Sequence, residues 1–241
     1  MDFKSDNNTV YGRRAAGQAP FVDEGLRSYM ISIYNLMSLG LGLTGLVAYF
    51  VATTPELIQL FILSPLRWVV MFAPMGIVFF LSLRIQALSS PAARAAFWAF
   101  ASIMGLSMAS IFLVFTGQSV ARVFFITASV FGGMSLYGYT TRRDLSGFGS
   151  FLFMGLIGIV IASVVNLFMA SSVLQFAISV IGVLVFTGLT AYDTQRLKEM
   201  YYSTQSSSDN VSKLAVMGAL SLYLNFINLF ISLLYLFGDR R

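Results

Sequence analysis

The sequence predicts an all-α integral membrane protein with seven transmembrane helices and almost no soluble domain. Of its 241 residues, 57% are hydrophobic and only 10% are charged, whereas soluble domains carry about 25% charged residues. The apolar residues also fall in uninterrupted runs of the length that crosses a bilayer as a helix, about 20 residues. A transmembrane β-barrel is excluded, because its strands are only about 10 residues long and alternate apolar with polar side chains.

Seven apolar runs are present. In chain order they are Tyr29–Ala52, Trp68–Leu88, Arg94–Phe115, Val120–Thr140, Phe148–Ala170, Val173–Tyr192 and Leu214–Phe237. The polar connectors are too short for a separate domain: Ser89–Ala93, Thr116–Ser119, Thr141–Gly147 and the longer Asp193–Lys213. We therefore expect a transmembrane domain over residues 29–238 and a short C-terminal tail over 239–241.

The first 28 residues are polar, contain Gly and Pro, and are expected to be mostly disordered. They do not resemble a cleaved signal peptide, whose charged region is shorter and whose apolar region has only about 7–15 residues. The first apolar run is therefore expected to remain as an uncleaved membrane anchor.

The distribution of Lys and Arg predicts a cytoplasmic N-terminus, because cytoplasmic loops hold the excess of positive charge. The odd-numbered connectors carry only Arg67 and Arg122. The tail and the even-numbered connectors, with helix ends included, carry Lys4, Arg13, Arg14, Arg27, Arg84, Arg94, Arg142, Arg143, Arg196, Lys198 and Lys213. With seven crossings, Arg240 and Arg241 lie outside the cytoplasm, which is contrary to the positive-inside rule. Either packing against the other helices keeps the last helix across the membrane, or the last helix is re-entrant.

The chain has no Cys and no His, which excludes thiol enzymes, Ser–His hydrolases, haem sites and His-ligated metals. A cation bound by oxygen ligands, such as Ca²⁺, remains compatible with the composition. The net charge of +5 is explained by membrane topology and lipid attraction, and no basic patch with interleaved aromatics indicates a nucleic-acid partner.

Two of the predicted helices carry a stripe of small and polar residues at steps of three and four. In the last helix the stripe is Gly218, Ser221, Asn225, Asn228, Ser232 and Tyr235, and in the first it is Asn35, Ser38, Gly42, Gly45 and Tyr49. Such stripes usually let membrane helices pack closely, which is the simplest interpretation of both. The two Asn carboxamides of the last helix are the residues for which we expect a further role.

Two ionisable residues lie at depth in the predicted bundle. Asp193 follows directly on the sixth apolar run, and Arg84 lies inside the second. A charged group within the bilayer costs a few kcal/mol unless it is paired or hydrated, so it indicates a functional site. Both residues fall in the cytoplasmic third of their helices and are expected to meet around the last helix. Alternatively, Arg84 extends to lipid headgroups and Asp193 ends a helix at the interface.

Four segments together resemble the Bax inhibitor-1 family in its bacterial branch. They are FTGLTAYDTQRLK (186–198), SLYLNFINLF (221–230), GYTTRRDL (138–145) and FFLSLRIQALS (79–89). The resemblance implies a seven-helix fold in the bacterial inner membrane, with the last helix at the centre of a ring of six. In family members that leak Ca²⁺ in a proton-sensitive way, an Asp in the sixth helix and an Asp in the seventh share a proton, and an Arg of the second helix acts as a latch.

Matched by motif, these positions are Asp193, position 225 and Arg84, with Asn228, Tyr192 and Thr190 as secondary candidates. Position 225 is Asn, so one of the two carboxylates is missing and proton sensing is expected to be altered. Asp193 remains a candidate weak Ca²⁺ ligand, since Ca²⁺ affinity falls with fewer charged ligands.

Three classes of function are consistent with these residues. The first is a pH-modulated passive Ca²⁺ leak, gated by Asp193 and Asn225, with Ca²⁺ as cargo and no resident cofactor. The second is a non-conducting regulator that binds a membrane protease or its substrates, with residues 1–28 as its handle. The third, an aspartyl intramembrane protease, is disfavoured because it needs a second membrane Asp in a GlyXaaGlyAsp motif, which this chain lacks. We therefore expect no enzyme; the sequence leaves the oligomeric state open.

Overall fold

The computed structural model describes residues 23–85, 87–203 and 208–241, and this part of the chain consists of helices joined by short turns, with one isolated β-bridge between Phe115 and Arg240. The helices are α1 (Glu24–Thr53), α2 (Pro55–Ile58), α3 (Leu66–Arg84), α4 (Ser90–Val114), α5 (Gly117–Thr140), α6 (Ser146–Met169), α7 (Ser172–Ser203) and α8 (Ser208–Phe237), with a π-helical turn Gln59–Leu63 after α2. Seven of them, all but α2, are long and apolar enough to cross a membrane. The predicted fold class is confirmed.

Side-chain caps explain where several spans begin. The carboxylate of Asp23 accepts the Leu26 N–H at 3.0 Å, and the hydroxyl of Thr116 accepts the Ser119 N–H at 3.3 Å. Because Asp23 caps α1, the first helix begins at Glu24, inside the segment expected to be a tail. Residues 1–22 lie outside the described residues, so their predicted disorder stays a prediction.

Helix α7 is longer than its apolar run, and the predicted connector Asp193–Lys213 is wrong over most of its length. The helix continues through Asp193 to Ser203, and α8 already begins at Ser208. Its polar extension is held by packing: Leu197 is buried, and Gln195 bonds the Arg143 carbonyl and the Leu145 N–H, each at 2.8 Å. The fall in hydropathy after Tyr192 therefore does not end the helix.

Helix α8 is the most buried of the spans. In its most apolar stretch 67% of the residues are buried, against 6–33% in the other six. It packs against α1, α4, α5 and α7, whereas α3 packs mainly on α4 and α6 mainly on α7. A complete ring of six helices around α8 therefore stays a prediction. One buried cluster ties α8 to its neighbours: Thr44 of α1 bonds the Ala101 carbonyl of α4 at 2.8 Å and the Tyr223 hydroxyl of α8 at 2.6 Å.

Pro74 interrupts α3 without leaving a backbone carbonyl unpaired. Proline has no N–H, so the carbonyl of Val70, four residues earlier, loses its helical donor. The hydroxyl of Ser107 in α4 donates to that carbonyl instead. An unpaired carbonyl in hydrocarbon costs several kcal/mol, so this bond also attaches α3 to α4.

The two ends of the bundle are fixed by contacts between distant parts of the chain. At the end where α1 begins, called here the N-terminal side, Ser90 bonds Asp209 and Tyr29 stacks on Tyr201. At the opposite end, the C-terminal side, the Thr116 N–H donates to the Asp239 carbonyl at 3.0 Å. Arg122 there pairs with the Asp239 carboxylate at 2.8 Å. Helix α8 thus runs the full height of the bundle, as the first of the two alternatives for the last helix requires.

Candidate functional site

A cavity of about 640 Å³ lies between α6, α7 and α8. Apolar side chains such as Phe153 and Leu189 form part of its wall. Its polar lining consists of Ser150, Tyr192, Asp193, Arg196, Ser221, Asn225 and Asn228. We call it the Asp193 cavity. Among the described residues that line it, two have ionisable acidic or basic side chains, Asp193 and Arg196.

The carboxylate of Asp193 is bound by α8. Its Oδ2 atom accepts a hydrogen bond from the Ser221 hydroxyl and another from the Asn225 amide, both at 2.7 Å. Among the described residues, no donor lies within hydrogen-bond distance of Oδ1, the other carboxylate oxygen. The prediction that Asp193 and position 225 meet inside the bundle therefore agrees with the structure, and the carboxylate keeps one oxygen for a ligand.

The helical repeat explains how α8 supplies both donors. Ser221 and Asn225 are four residues apart and so lie on one face, one turn above the other. Asn225 is only 6% exposed, and Asn228 continues the same face toward the C-terminal side. On α7, Arg196 lies one turn beyond Asp193 and also lines the cavity.

Arg84 does not join this site, and its predicted contact with Asp193 is wrong. It is the last residue of α3 and is exposed, and the ion pairs of the described residues do not include one between Arg84 and Asp193. The reason is the helix packing, since α3 lies against α4 while α7 is surrounded by α5, α6 and α8. The positive charge nearest in sequence, Arg196, lines the cavity instead.

Of the three secondary candidates, two line the Asp193 cavity and one does not. Asn228 and Tyr192 both line the cavity, and the Asn228 amide donates to the Leu224 carbonyl at 2.8 Å. Thr190 does not line it: the side chain is fully buried and its hydroxyl donates to the Phe186 carbonyl at 2.7 Å. Thr190 is therefore bonded within α7 and has no contact with the cavity among the described lining residues.

Two residues of the site were not selected from the sequence. Ser221 was placed in the α8 stripe but not singled out, although its position one turn before Asn225 is the available signal. Arg196 was counted only as a topological charge, although its position one turn after Asp193 places it beside that carboxylate. The position of Arg196 follows from treating Asp193 as part of a continuing helix.

The site offers oxygen ligands but little charge for a metal ion. The described residues contain no cluster of three or more His, Cys, Asp or Glu side chains. Besides Asp193, the described cavity lining offers neutral oxygens, including those of Ser221, Asn225 and Asn228. Ca²⁺ takes about 6–8 oxygens, and its affinity rises with their charge. The arrangement therefore fits a cation that passes or binds briefly better than one held tightly.

Comparison with known proteins identifies the family. Residues 26–241 match the family described as inhibitor of apoptosis-promoting Bax1. An uncharacterized protein of Rickettsia prowazekii is 48% identical, with 91% of this chain and 92% of that protein covered. The inner membrane protein YbhL of Escherichia coli K12 is 47% identical, with 90% and 94% covered. An uncharacterized protein of Caulobacter vibrioides is 45% identical, with 91% and 92% covered. The chain belongs to the Bax inhibitor-1 family.

Proposed function

We propose that this protein is a passive cation leak of the bacterial inner membrane, with Ca²⁺ as the cargo that its oxygen ligands fit best. The observation that carries the proposal is the Asp193 carboxylate, which lines a membrane cavity with one oxygen bonded to α8 and the other without a protein donor. Ionisable groups within a membrane are costly and rare, and those that occur commonly mark ion or proton pathways. The inner-membrane location is supported by the name of the E. coli relative.

In this mechanism Asp193 attracts the cation and Arg196 opposes it. Without a cation, the Arg196 guanidinium, one turn along α7, offsets the negative charge of Asp193. An arriving cation replaces that interaction, using Oδ1 together with neutral oxygens of Asn225 and Asn228. Conduction requires binding weak enough to release the ion, and a site with one carboxylate meets that condition.

The proposed orientation places the N-terminal side in the cytoplasm. Eight of the described Lys and Arg residues lie at that side: Arg27, Arg84, Arg94, Arg142, Arg143, Arg196, Lys198 and Lys213. Arg67, Arg122, Arg240 and Arg241 lie at the other. The positive-inside rule favours the richer side as cytoplasmic, and Asp193 then lies toward the cytoplasmic half of its helix.

The direct test is Ca²⁺ flux into liposomes that hold the purified protein. We expect Ca²⁺ flux in the natural protein and a flux at least about tenfold lower in Asp193→Asn. A tenfold decrease corresponds to about 1.4 kcal/mol of lost interaction with the cation. Arg196→Gln is expected to raise flux, while Arg84→Gln is its matched control and leaves flux unchanged. Equal effects of the two Arg variants contradict the assignment of Arg196.

Asn225→Asp is expected to give the leak a steep pH dependence. The Asn225 amide nitrogen lies 2.7 Å from Asp193 Oδ2, and two carboxylates at that distance hold one proton between them. Loss of this proton as the pH rises uncovers a second negative charge, so flux in the variant rises between pH 5 and 8. The natural protein, with one carboxylate, is expected to change less over the same range. Asn225→Leu is the control, because it removes the same hydrogen bond without adding a titratable group.

The same flux assay can contradict the proposed leak. Absence of flux in the natural protein at every pH, with folded protein in the liposomes, favours the non-conducting regulator that binds a membrane protease or its substrates. Identical pH profiles for Asn225→Asp and the natural protein mean that position 225 is not coupled to Asp193.

A further inference from the structure

A second polar cavity, of about 470 Å³, lies between the same three helices on the C-terminal side. Its polar lining is supplied by Ser163, Asn166, Gln175, Ser179, Ser232 and Tyr235. We call it the Gln175 cavity. Ser232 and Tyr235 continue the α8 stripe that lines the Asp193 cavity, so one face of α8 serves both.

The amides of the Gln175 cavity form a connected network. The Asn166 amide donates to Gln175 Oε1 at 3.1 Å, and Gln175 Nε2 donates to the Ser179 hydroxyl at 3.4 Å. Asn166 Oδ1 also accepts the Ser171 N–H at 3.0 Å, which ties the network to the α6–α7 turn. Polar groups placed against hydrocarbon are costly, so this network favours a cavity that holds water.

The two cavities adjoin at Phe186 and Asn228, which line both. The Phe186 side chain is only 5% exposed and therefore fills the space between α7 and its neighbours at this level. Asn228 is the polar counterpart on α8. In the described part of the chain this pair alone lines both cavities and so forms the boundary between them.

We propose that the Gln175 cavity is a water-filled vestibule open to the C-terminal side, and that Phe186 is the apolar partition separating it from the Asp193 cavity. The inference rests on the proposed leak, to which it adds a route: a hydrated cation crosses between α6, α7 and α8 and passes Phe186. An apolar ring at a constriction expels water and stops ions until it moves, a known form of channel gate. Asn228 gives the ion a polar contact at the point where Phe186 withdraws.

The absence of Cys from the chain makes the inference directly testable, because any introduced Cys is the only thiol. Ser163→Cys places a thiol in the Gln175 cavity, and Val164→Cys places one at the next residue, which is 50% exposed and lines neither cavity. Both are treated with a charged, membrane-impermeant methanethiosulfonate applied to one side of oriented vesicles. We expect Ser163→Cys to react at least tenfold faster than Val164→Cys, and only from the C-terminal side.

Phe186→Ala tests the partition in the Ser163→Cys background. Its removal is expected to let the reagent reach the thiol from the N-terminal side as well, while Phe186→Leu, which keeps an apolar side chain, is expected to preserve one-sided labelling. Unchanged sidedness in Phe186→Ala overturns the partition.

If Ser163→Cys is labelled no faster than Val164→Cys, the proposed vestibule is wrong, regardless of the Ca²⁺ flux that is measured. This readout does not depend on ion conduction. Labelling as expected without Ca²⁺ flux leaves the vestibule in place and contradicts the leak instead.

Discussion

The first and the last membrane spans carry the same pattern of small and polar residues, and the structure uses the two stripes in opposite ways. On α8 the stripe faces α6 and α7, binds Asp193 and lines both polar cavities. On α1 every member of the stripe is exposed: Asn35, Ser38, Gly42, Gly45 and Tyr49. The expectation that both stripes pack against other helices is therefore met on α1 by Tyr49, whose ring contacts Phe112 of α4, and not by Gly42 or Gly45, which have open space around them.

The difference comes from the residues opposite each stripe. The other face of α1 carries Ile33, Met37 and Leu41, which are buried against α4 and α8, together with Gly40, where a Cβ would lie only 2.8 Å from the Phe97 ring. Helix α8 is apolar on its remaining faces and is covered by four helices, so its polar face also lies inside. A polar stripe thus indicates a distinctive face, but the neighbouring helices decide whether that face lies inside.

The largest effect expected from this comparison is at the two Asn residues. Asn225→Leu removes one of two hydrogen bonds to the Asp193 carboxylate, and a bond to a charged group contributes about 1.5–3 kcal/mol. Asn35→Leu on the exposed α1 stripe is expected to change stability by less than about 0.5 kcal/mol. Thermal unfolding of both variants in detergent measures the difference, and equal losses contradict the assignment of the two faces.

Two glycines of α1 lie on its opposite faces, so substitutions there test the two faces separately. Gly40→Ala forces a methyl group against the fully buried ring of Phe97 and is expected to cost about 1–2 kcal/mol. Gly42→Ala meets no atom within 4 Å, and Ala is the better helix former by about 1 kcal/mol, so this variant is expected to be neutral or more stable. The same unfolding assay applies. A destabilised Gly42→Ala reveals a partner on the α1 stripe.

The smallest effect is expected at the two serines. Ser221→Ala removes the second donor to Asp193, at 2.7 Å, and leaves Asn225 in place, so a loss of about 1 kcal/mol is expected. Ser38→Ala is expected to lie within about 0.5 kcal/mol of the natural protein. The pair also sharpens the flux assay: Ser221→Ala is expected to alter Ca²⁺ flux and Ser38→Ala to leave it unchanged.

The amino-acid sequence by itself determined the number of spans and the central contact of the site. Apolar runs of bilayer length require helices, because backbone groups in hydrocarbon must bond within their own segment. Asp193 and Asn225 were paired through the family motifs and through the scarcity of charge at depth. The number of spans depends on local composition, which the sequence displays directly, whereas the pairing of Asp193 with position 225 is what the family resemblance implies.

Only the tertiary structure decided which helices are neighbours, and the failed expectations follow from that. Arg84 was matched to Asp193 by depth, but α3 packs on α4, and depth does not specify the direction in which a helix faces. The extension of α7 to Ser203 depends on contacts of Gln195 and Leu197 with residues distant in the chain. Hydropathy reports the surrounding solvent of a segment, whereas lateral packing depends on the shapes of side chains on several helices at once.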